Sequence, residues 1–363
     1  MNRLLPRLIL FILLLAAALW GALYQSTWRP ADREAVEPLC STTDRPALLK
    51  PGQAVKVMTW NVQYLAGKRY VFWYERPDGS GPDERPSAED LAFNLDEVVR
   101  VIRDEQPDLV LLQELGDGAR DTGYQNQLAL LQERLADLYP CSTQAFNWKA
   151  EFVPHPRIWG SVGLKLATLS RYRIDSAERL QLPLHPSTPL VRLFQPRPAL
   201  LVSYLPLQGG GRLALINTQQ YTPEPDPETL RQQTAATAAL LDRLERSGTP
   251  WLIGGDFSLL PLGQYPRLDE QQRVGYLPDS PLHLLWDKYP MIPSNAEAGG
   301  IERSLWLTYW PNDPQISGPD RTLDYLIHSP SLRRLEAGVR QGDTLQISDH
   351  LPLLARLQLP AHP

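Results

Sequence analysis

Apolar runs in this chain end repeatedly on a carboxylate, an amide or an imidazole. VMTWNVQYL carries Asn61, DLVLLQEL carries Glu114, ALINTQQ carries Asn217 and Gln219, WLIGGDFSLL carries Asp256 and Ser258, RTLDYLI carries Asp324, and QISDHLPLL carries Asp349 and His350. Short apolar runs read as buried strands, and open α/β sheets gather their chemistry where such strands end. The pattern predicts a layered α/β fold with a polar site built from distant stretches of chain.

Composition bounds the rest. With the N-terminal region set aside, roughly 320 residues remain, enough for one large α/β domain or two small ones, and one domain is the preferred reading. Apolar residues make up 43% of the chain and charged ones 21%, which excludes disorder by composition, while 35 prolines imply long, stiffened loops. A net charge of -5 supplies no general attraction for a polyanion, so nucleic acid is possible but not favoured as a partner.

The first residues read as a membrane or export segment. Arg3 and Arg7 precede an uncharged apolar run from Leu8 to Tyr24, and the next charge is Arg29. Trp20 and Tyr24 stand where an interfacial belt would lie, and no clean small-x-small cleavage site is visible. The favoured expectation is an uncleaved inner-membrane anchor with the domain in the periplasm or outside, the alternative being secretion after signal cleavage. The segments are then a short N-terminal piece at 1–7, the anchor or signal at 8–24, a tether at 25–53 with little core of its own, the catalytic domain at 54–358 and a tail at 359–363. Cys40 and Cys141 suit an oxidising compartment, where they would close a loop of about 100 residues; two unrelated buried thiols are the other reading. Two cysteines without nearby histidines do not make a metal site.

Local patterns place the elements. A strand ends at Asn61, a turn-rich loop follows from Gly67 to Pro86, and Ser87 caps a helix that Pro107 ends. Leu109 to Leu112 is the next strand, followed by a helix over about 125–138. Further strands are expected at 163–170, 199–204, 212–217, 251–254, 323–327 and 351–357, with Gly209, Gly210 and Gly211 as a hairpin turn and a long helix over about 227–246. The loop from Lys68 to Trp73 mixes cations with aromatics and is a candidate contact for phosphate or lipid, or simply a packed loop. His155, His185, His283 and His328 lie outside the motifs and read as structural or exposed.

TWN, QE, GSVGLKLATLSR, NT, GGDF, LDY and SDH, in that order over about residues 54 to 358, resemble the endonuclease/exonuclease/phosphatase superfamily, the DNase I-like fold. The resemblance implies an αββα sandwich, four layers with two mixed β-sheets at the centre, and a site at one edge of them. The residue chemistry points the same way. Hard divalent ions prefer oxygen ligands, so Glu114, Asp349 and the amide oxygen of Asn61 suit Mg²⁺, with Mn²⁺ as a substitute. His350 is then a proton-transfer or phosphate-contacting group oriented by Asp324. Asp256, on a Gly-Gly turn expected to let backbone approach a ligand, would align water or assist the leaving oxygen.

Two positions depart from the family pattern. Asn217-Thr218 is followed by Gln219 where a histidine is usual, and Ser258 stands where GDFN has asparagine. Gln219 can donate a hydrogen bond but cannot carry positive charge, and Ser258 is shorter. The resemblance implies a divalent-metal-dependent hydrolase of a phosphodiester or phosphomonoester, in a lipid head group or nucleic acid. The alternative is a weakened member that binds a phosphorylated ligand or a protein. The sequence does not fix an oligomeric state.

Overall fold

The computed structural model describes residues 4–41, 45–72, 80–81, 85–221 and 226–361. Arg3, Trp73, the turn residues Pro77, Asp78, Gly79 and Pro82, and the last two residues of the tail lie outside them. Fourteen strands form among the described residues. They are β1 (Arg33–Val36), β2 (Leu39–Cys40), β3 (Ala54–Asn61), β4 (Leu109–Gly116), β5 (Cys141–Val153), β6 (Gly160–Ser170), β7 (Ser176–Gln181), β8 (Ala199–Pro206), β9 (Arg212–Gln219), β10 (Trp251–Asp256), β11 (Met291–Ile292), β12 (Asp324–His328), β13 (Arg333–Val339) and β14 (Leu353–Gln358). One sheet has the order β1-β7-β8-β9-β10-β12-β11, the other β13-β14-β3-β4-β6-β5-β2. Each contains one parallel pair, β9 with β10 and β3 with β4.

Side-chain alternation along the central strands builds the layers. Val55, Val57, Leu109 and Leu111 of one sheet meet Leu213, Leu215, Leu252 and Leu326 of the other in a shared inner core. Their neighbours Met58, Trp60, Val110 and Leu112 face outward onto the helices Ala88–Glu105 and Gln127–Leu135. On the far side, Ala214, Ile216, Trp251 and Ile253 pack under the helix Pro227–Arg246. A strand's side-chain period of two puts successive residues in different layers, and the result is the expected four-layer arrangement of helix, sheet, sheet and helix. Ser87 caps its helix as expected, its hydroxyl accepting from the Asp90 amide, and the helix ends on a left-handed Gln106.

The same alternation delivers the polar residues. Continuing the inner rows past their last leucine gives Thr59 and Asn61 on β3, Gln113 on β4, Asn217 and Gln219 on β9, and Asp256 on β10, with Asp324 opening β12. Register pairs Asp256 with both Gln219 and Asp324. The inner core therefore changes from leucine to amide and carboxylate at one edge of the sandwich.

Two expectations about the N-terminal region change. The apolar helix spans Leu4–Ser26, starting before Leu8 because Leu4 and Leu5 extend it, so Arg7 lies inside it. The segment 25–53 is not a bare tether. β1 pairs with β7 and β2 with β5, Leu49 is fully buried in the inner core, and Cys40 is disulfide-bonded to Cys141. Pro-rich composition hid these strands because an edge strand needs only one row of hydrogen bonds and little apolar alternation.

Candidate active site

Glu114 reaches the edge through a local irregularity. The pairing of β4 with β6 shifts between Leu112 and Leu115, and Glu114 sits in that bulge with φ 58°. Left-handed backbone is costly for a residue with a side chain, and a bulge re-aims the side chain it carries. Here it turns the carboxylate out of the helix-facing layer toward Asn61, whose Nδ2 donates to Glu114 Oε1 at 3.0 Å and to Asp256 Oδ2 at 3.2 Å. The amide oxygen of Asn61 accepts from the Gln63 backbone N–H at 3.0 Å. In this orientation Asn61 presents its NH₂ to the carboxylates, whereas a metal ligand would present oxygen.

His350 and its partners lie beside this pair. Its Nδ1 is 2.8 Å from Asp324 Oδ2 and its Nε2 is 3.7 Å from Asp256 Oδ2, with all three residues buried. Burial disfavours a charged imidazole, but Asp324, Asp256 and Asp349 together hold the His350 proton well above its ordinary range. The expected orientation of His350 by Asp324 is thus present. The peptide carbonyl of His350 accepts from Trp60 Nε1 at 2.9 Å, and the Tyr309 ring meets the imidazole edge-on with centroids 4.7 Å apart. Asp324 is fixed from its backbone, whose N–H donates to Thr308 Oγ1 at 3.1 Å.

Desolvation raises the carboxylates. It pushes Glu114 up to about 7, reinforced by Asp349 and opposed by the bond from Asn61. Asp349 and Asp256 are also raised by burial, each partly relieved by His350, and Asp349 further by Lys68. Four carboxylates thus converge, with the His350 imidazole among them and Lys68 acting on Asp349. Oxygen donors with excess negative charge are the donor set a hard divalent cation requires, so Glu114 and Asp349 fit one. Asp256, Asp324 and His350 also lie within 4.8 Å of one another at their donor atoms. The His350 Nδ1 in that trio is already engaged by Asp324, which suits proton holding better than metal binding.

The two departures from the family pattern are absorbed into this network. Gln219 Nε2 donates to Glu114 Oε1, and Asn147 Nδ2 donates to Gln219 Oε1 at 3.3 Å. Ser258, with φ 52°, uses its backbone N–H at 2.8 Å and its hydroxyl at 3.1 Å to hold Asp256 Oδ1. Asn217, one of the strand-end residues read as candidates for the catalytic site, lies beneath it instead. Its Nδ2 donates to the carbonyls of Leu112 at 2.9 Å and Ala167 at 2.8 Å, and its oxygen accepts from Gln113 Nε2 at 2.7 Å. Both amide hydrogens are spent stitching the two sheets together beneath the site, leaving none for a substrate.

The Gly-Gly pair also serves packing rather than a ligand. A Cβ at Gly254 would lie 2.6 Å from Leu326 and 2.8 Å from Leu111, and one at Gly255 would lie 1.9 Å from the Thr218 carbonyl oxygen. Gly254 lets the two sheets approach closely where the polar rows converge, and Gly255 lets β10 lie close to its neighbour β9 in the same sheet. In the Lys68 to Trp73 loop, Lys68 turns inward, donating to the Trp310 and Pro311 carbonyls at 2.5 and 3.0 Å, while Phe72 is buried. The described part is therefore a packed loop. Sequence reasoning also missed Gln63, Gln113, Asn147 and Thr308. Only Gln113 had a signal, as the neighbour of Glu114 in QE; the others come from loops or from the outer half of β5.

The Endonuclease/Exonuclease/phosphatase family model matches residues 58–350. The chain belongs to this family. An endonuclease/exonuclease/phosphatase from Beutenbergia cavernae DSM 12333 has a similar fold, with 21% identity, a TM-score of 0.57, and coverage of 85% of this chain and 72% of that one. The human nocturnin catalytic domain, solved with bound sulfate, is similar at 16% identity and a TM-score of 0.52, covering 89% of this chain and 96% of that one. No curated protein matches the sequence. For this family member, as for its relatives, the two mixed sheets and flanking helices form the DNase I-like sandwich.

A cleft of about 160 Å³ opens from Glu114 and Gln219. Tyr64, Phe72, Ile158, Val162 and Leu164 make its walls largely apolar, and Arg157 stands among them.

Proposed function

We propose that this chain is a divalent-metal-dependent phosphoesterase, held at a membrane by its N-terminal helix, with its domain on the oxidising side. The Asp324, His350 and Asp256 line beside the Glu114 and Asp349 carboxylates carries the reading. Glu114 and Asp349 would hold Mg²⁺ or Mn²⁺, with Asn61 alongside if its amide turns. A bound cation supplies charge neutralisation and Lewis acidity at the phosphoryl oxygens. His350, kept protonated by three aspartates, donates a charged hydrogen bond to the phosphoryl group or its leaving oxygen. Asp256 sits where its Oδ2 can orient a water, with Oδ1 fixed by Ser258. Gln219 and Asn61 keep Glu114 pointed inward, and Asn217 positions β4 and β9 from below.

The apolar helix, with none of its most apolar stretch buried, and the Cys40–Cys141 disulfide support extracytoplasmic placement of an anchored domain, in the inner membrane of a two-membrane cell or released after leader cleavage. A second reading has a specific observation behind it. Gln219 and Ser258 replace the usual histidine and asparagine and are already bonded to carboxylates, which favours binding of a phosphorylated ligand with little turnover.

The test is Mg²⁺- or Mn²⁺-dependent release of nitrophenol from bis(4-nitrophenyl) phosphate, compared with Asp349→Ala and His350→Ala. Metal-dependent turnover lost in both variants is the expected result. Metal binding without cleavage of that ester, DNA, sphingomyelin or phosphoinositides would favour the binding reading.

A further inference from the structure

Sheet register ties the base of the apolar helix to the candidate site. Just after the helix, Thr27 is buried and the Trp28 ring packs edge-on against Phe146 of β5, centroids 6.0 Å apart. Phe146 pairs with Lys165 of β6, and Lys165 pairs with Leu115 of β4, the residue after Glu114. Two strand spacings separate these positions, roughly 10 Å. The helix thus joins the domain along the edge that carries the site.

From Phe146, β5 runs on past that edge to Val153 and turns back into β6 at Gly160. Two bulges interrupt the pairing, and the five residue steps of β6 from Lys165 to Gly160 carry the tip roughly 17 Å beyond the level of Glu114. Phe152 and Trp159 stand there 44% and 59% exposed, their rings 5.2 Å apart and edge-on to each other. Tyr124, 65% exposed, lies in the neighbouring loop, where Arg120 donates to the Ile158 carbonyl at 2.9 Å. Arg157, exposed, lies between the two aromatic residues in sequence and, with Ile158, lines the cleft.

We propose that this hairpin tip docks on the lipid bilayer that holds the N-terminal helix, with Phe152 and Trp159 seated at the interface, so that the cleft opens toward the membrane surface. A bilayer is the occupant because a 22-residue apolar segment, fully outside the protein core, reaches the domain at this same edge. Amphipathic aromatic rings settle at the boundary between head groups and acyl chains, and an arginine beside them suits phosphate head groups. The proposal rests on the helix as an anchor and does not require hydrolysis.

The full chain in nanodiscs of phosphatidylcholine and phosphatidylglycerol tests it. An environment-sensitive fluorophore is placed at Glu151→Cys on the hairpin, or at Arg246→Cys, which ends the helix leading into the start of β10 at the opposite edge. Nitroxide-labelled lipid is expected to quench the hairpin label several-fold more than the Arg246 label. Adding Phe152→Ser and Trp159→Ser should bring the hairpin label down to the Arg246 level, with an unchanged melting temperature. Equal quenching at both positions, or quenching indifferent to loss of both rings, would overturn the proposal. So would a hairpin label that responds to a single-stranded oligonucleotide and not to the lipid. None of these readouts needs turnover, so failure here is separable from failure of the phosphoesterase reading.

Discussion

Asp324 gives one oxygen to His350, Oδ2 to Nδ1 at 2.8 Å, and keeps the other, Oδ1, buried with no hydrogen-bond partner among the described residues. A half-satisfied buried carboxylate is tolerated when a charged partner stabilises it. Asp324→Asn keeps the shape but removes the charge that holds the imidazolium. Turnover of bis(4-nitrophenyl) phosphate is expected to fall by about 10² to 10⁴ with the fold retained. Steady-state kinetics alongside a thermal melt check it, and wild-type turnover in the variant would remove His350 from the chemistry.

Asn217 predicts a different phenotype. Asn217→Ala removes the side-chain donor to the Leu112 and Ala167 carbonyls and one acceptor of Gln113 Nε2, which keeps Thr59 Oγ1 and the Leu111 carbonyl, at a cost on the order of 2 to 3 kcal/mol. Gln219→Ala removes one donor to Glu114 and should alter turnover with a smaller change in stability. Urea midpoints of the two variants separate a stitching role from a role in the site.

Gly254 reports how closely the sheets approach. Gly254→Ala forces a methyl against Leu326 and Leu111 and should destabilise by about 1 to 3 kcal/mol through overpacking. Gly318, with no atom within 4 Å of its would-be Cβ, supplies the matched Gly→Ala control. Equal urea midpoints for the two variants would contradict the close approach.

The disulfide closes a loop with a sequence separation of 101. Loop-closure entropy gives it about 4 to 5 kcal/mol of stabilisation, so Cys40→Ser with Cys141→Ser should lower the unfolding free energy by that order. Denaturant titration of the oxidised protein and the double variant measures it.

His328 sets a pH dependence away from the site. Burial lowers its pKa, with the Ser329 carbonyl opposing. The folded state then binds its proton less readily than the unfolded state, so the stabilisation is complete above the ordinary histidine value and is lost as pH falls below about 6.5. Between pH 7.5 and 5.5 the wild type should lose more stability than His328→Phe does, as read from urea midpoints at each pH.

The central architecture was legible because leucine rows ending in polar residues mark both the strand and the layer it faces. Asp324, His350, Asp256 and Glu114 were readable at the ends of those rows, and the family order of motifs placed them together. The outer strands were not: β7, second from one edge of its sheet, and β13, at the edge of the other, read SAERLQ and RRLEAGV, charged and without a clean apolar alternation. The direction of a side chain was equally hidden. Nothing local announces the left-handed backbone of Glu114, or that Asn217 turns both of its hydrogens into the opposite sheet, since these follow from contacts made across some hundred residues of sequence.

Six residues separate the end of the apolar helix at Ser26 from Arg33, where the first strand begins. Even fully stretched they reach no more than about 22 Å. A bilayer gripping that helix would therefore hold the globular body as if on a collar rather than on a leash. The volume it could sweep would be a thin shell above the head groups, so the relevant substrate concentration would be counted per unit of membrane area.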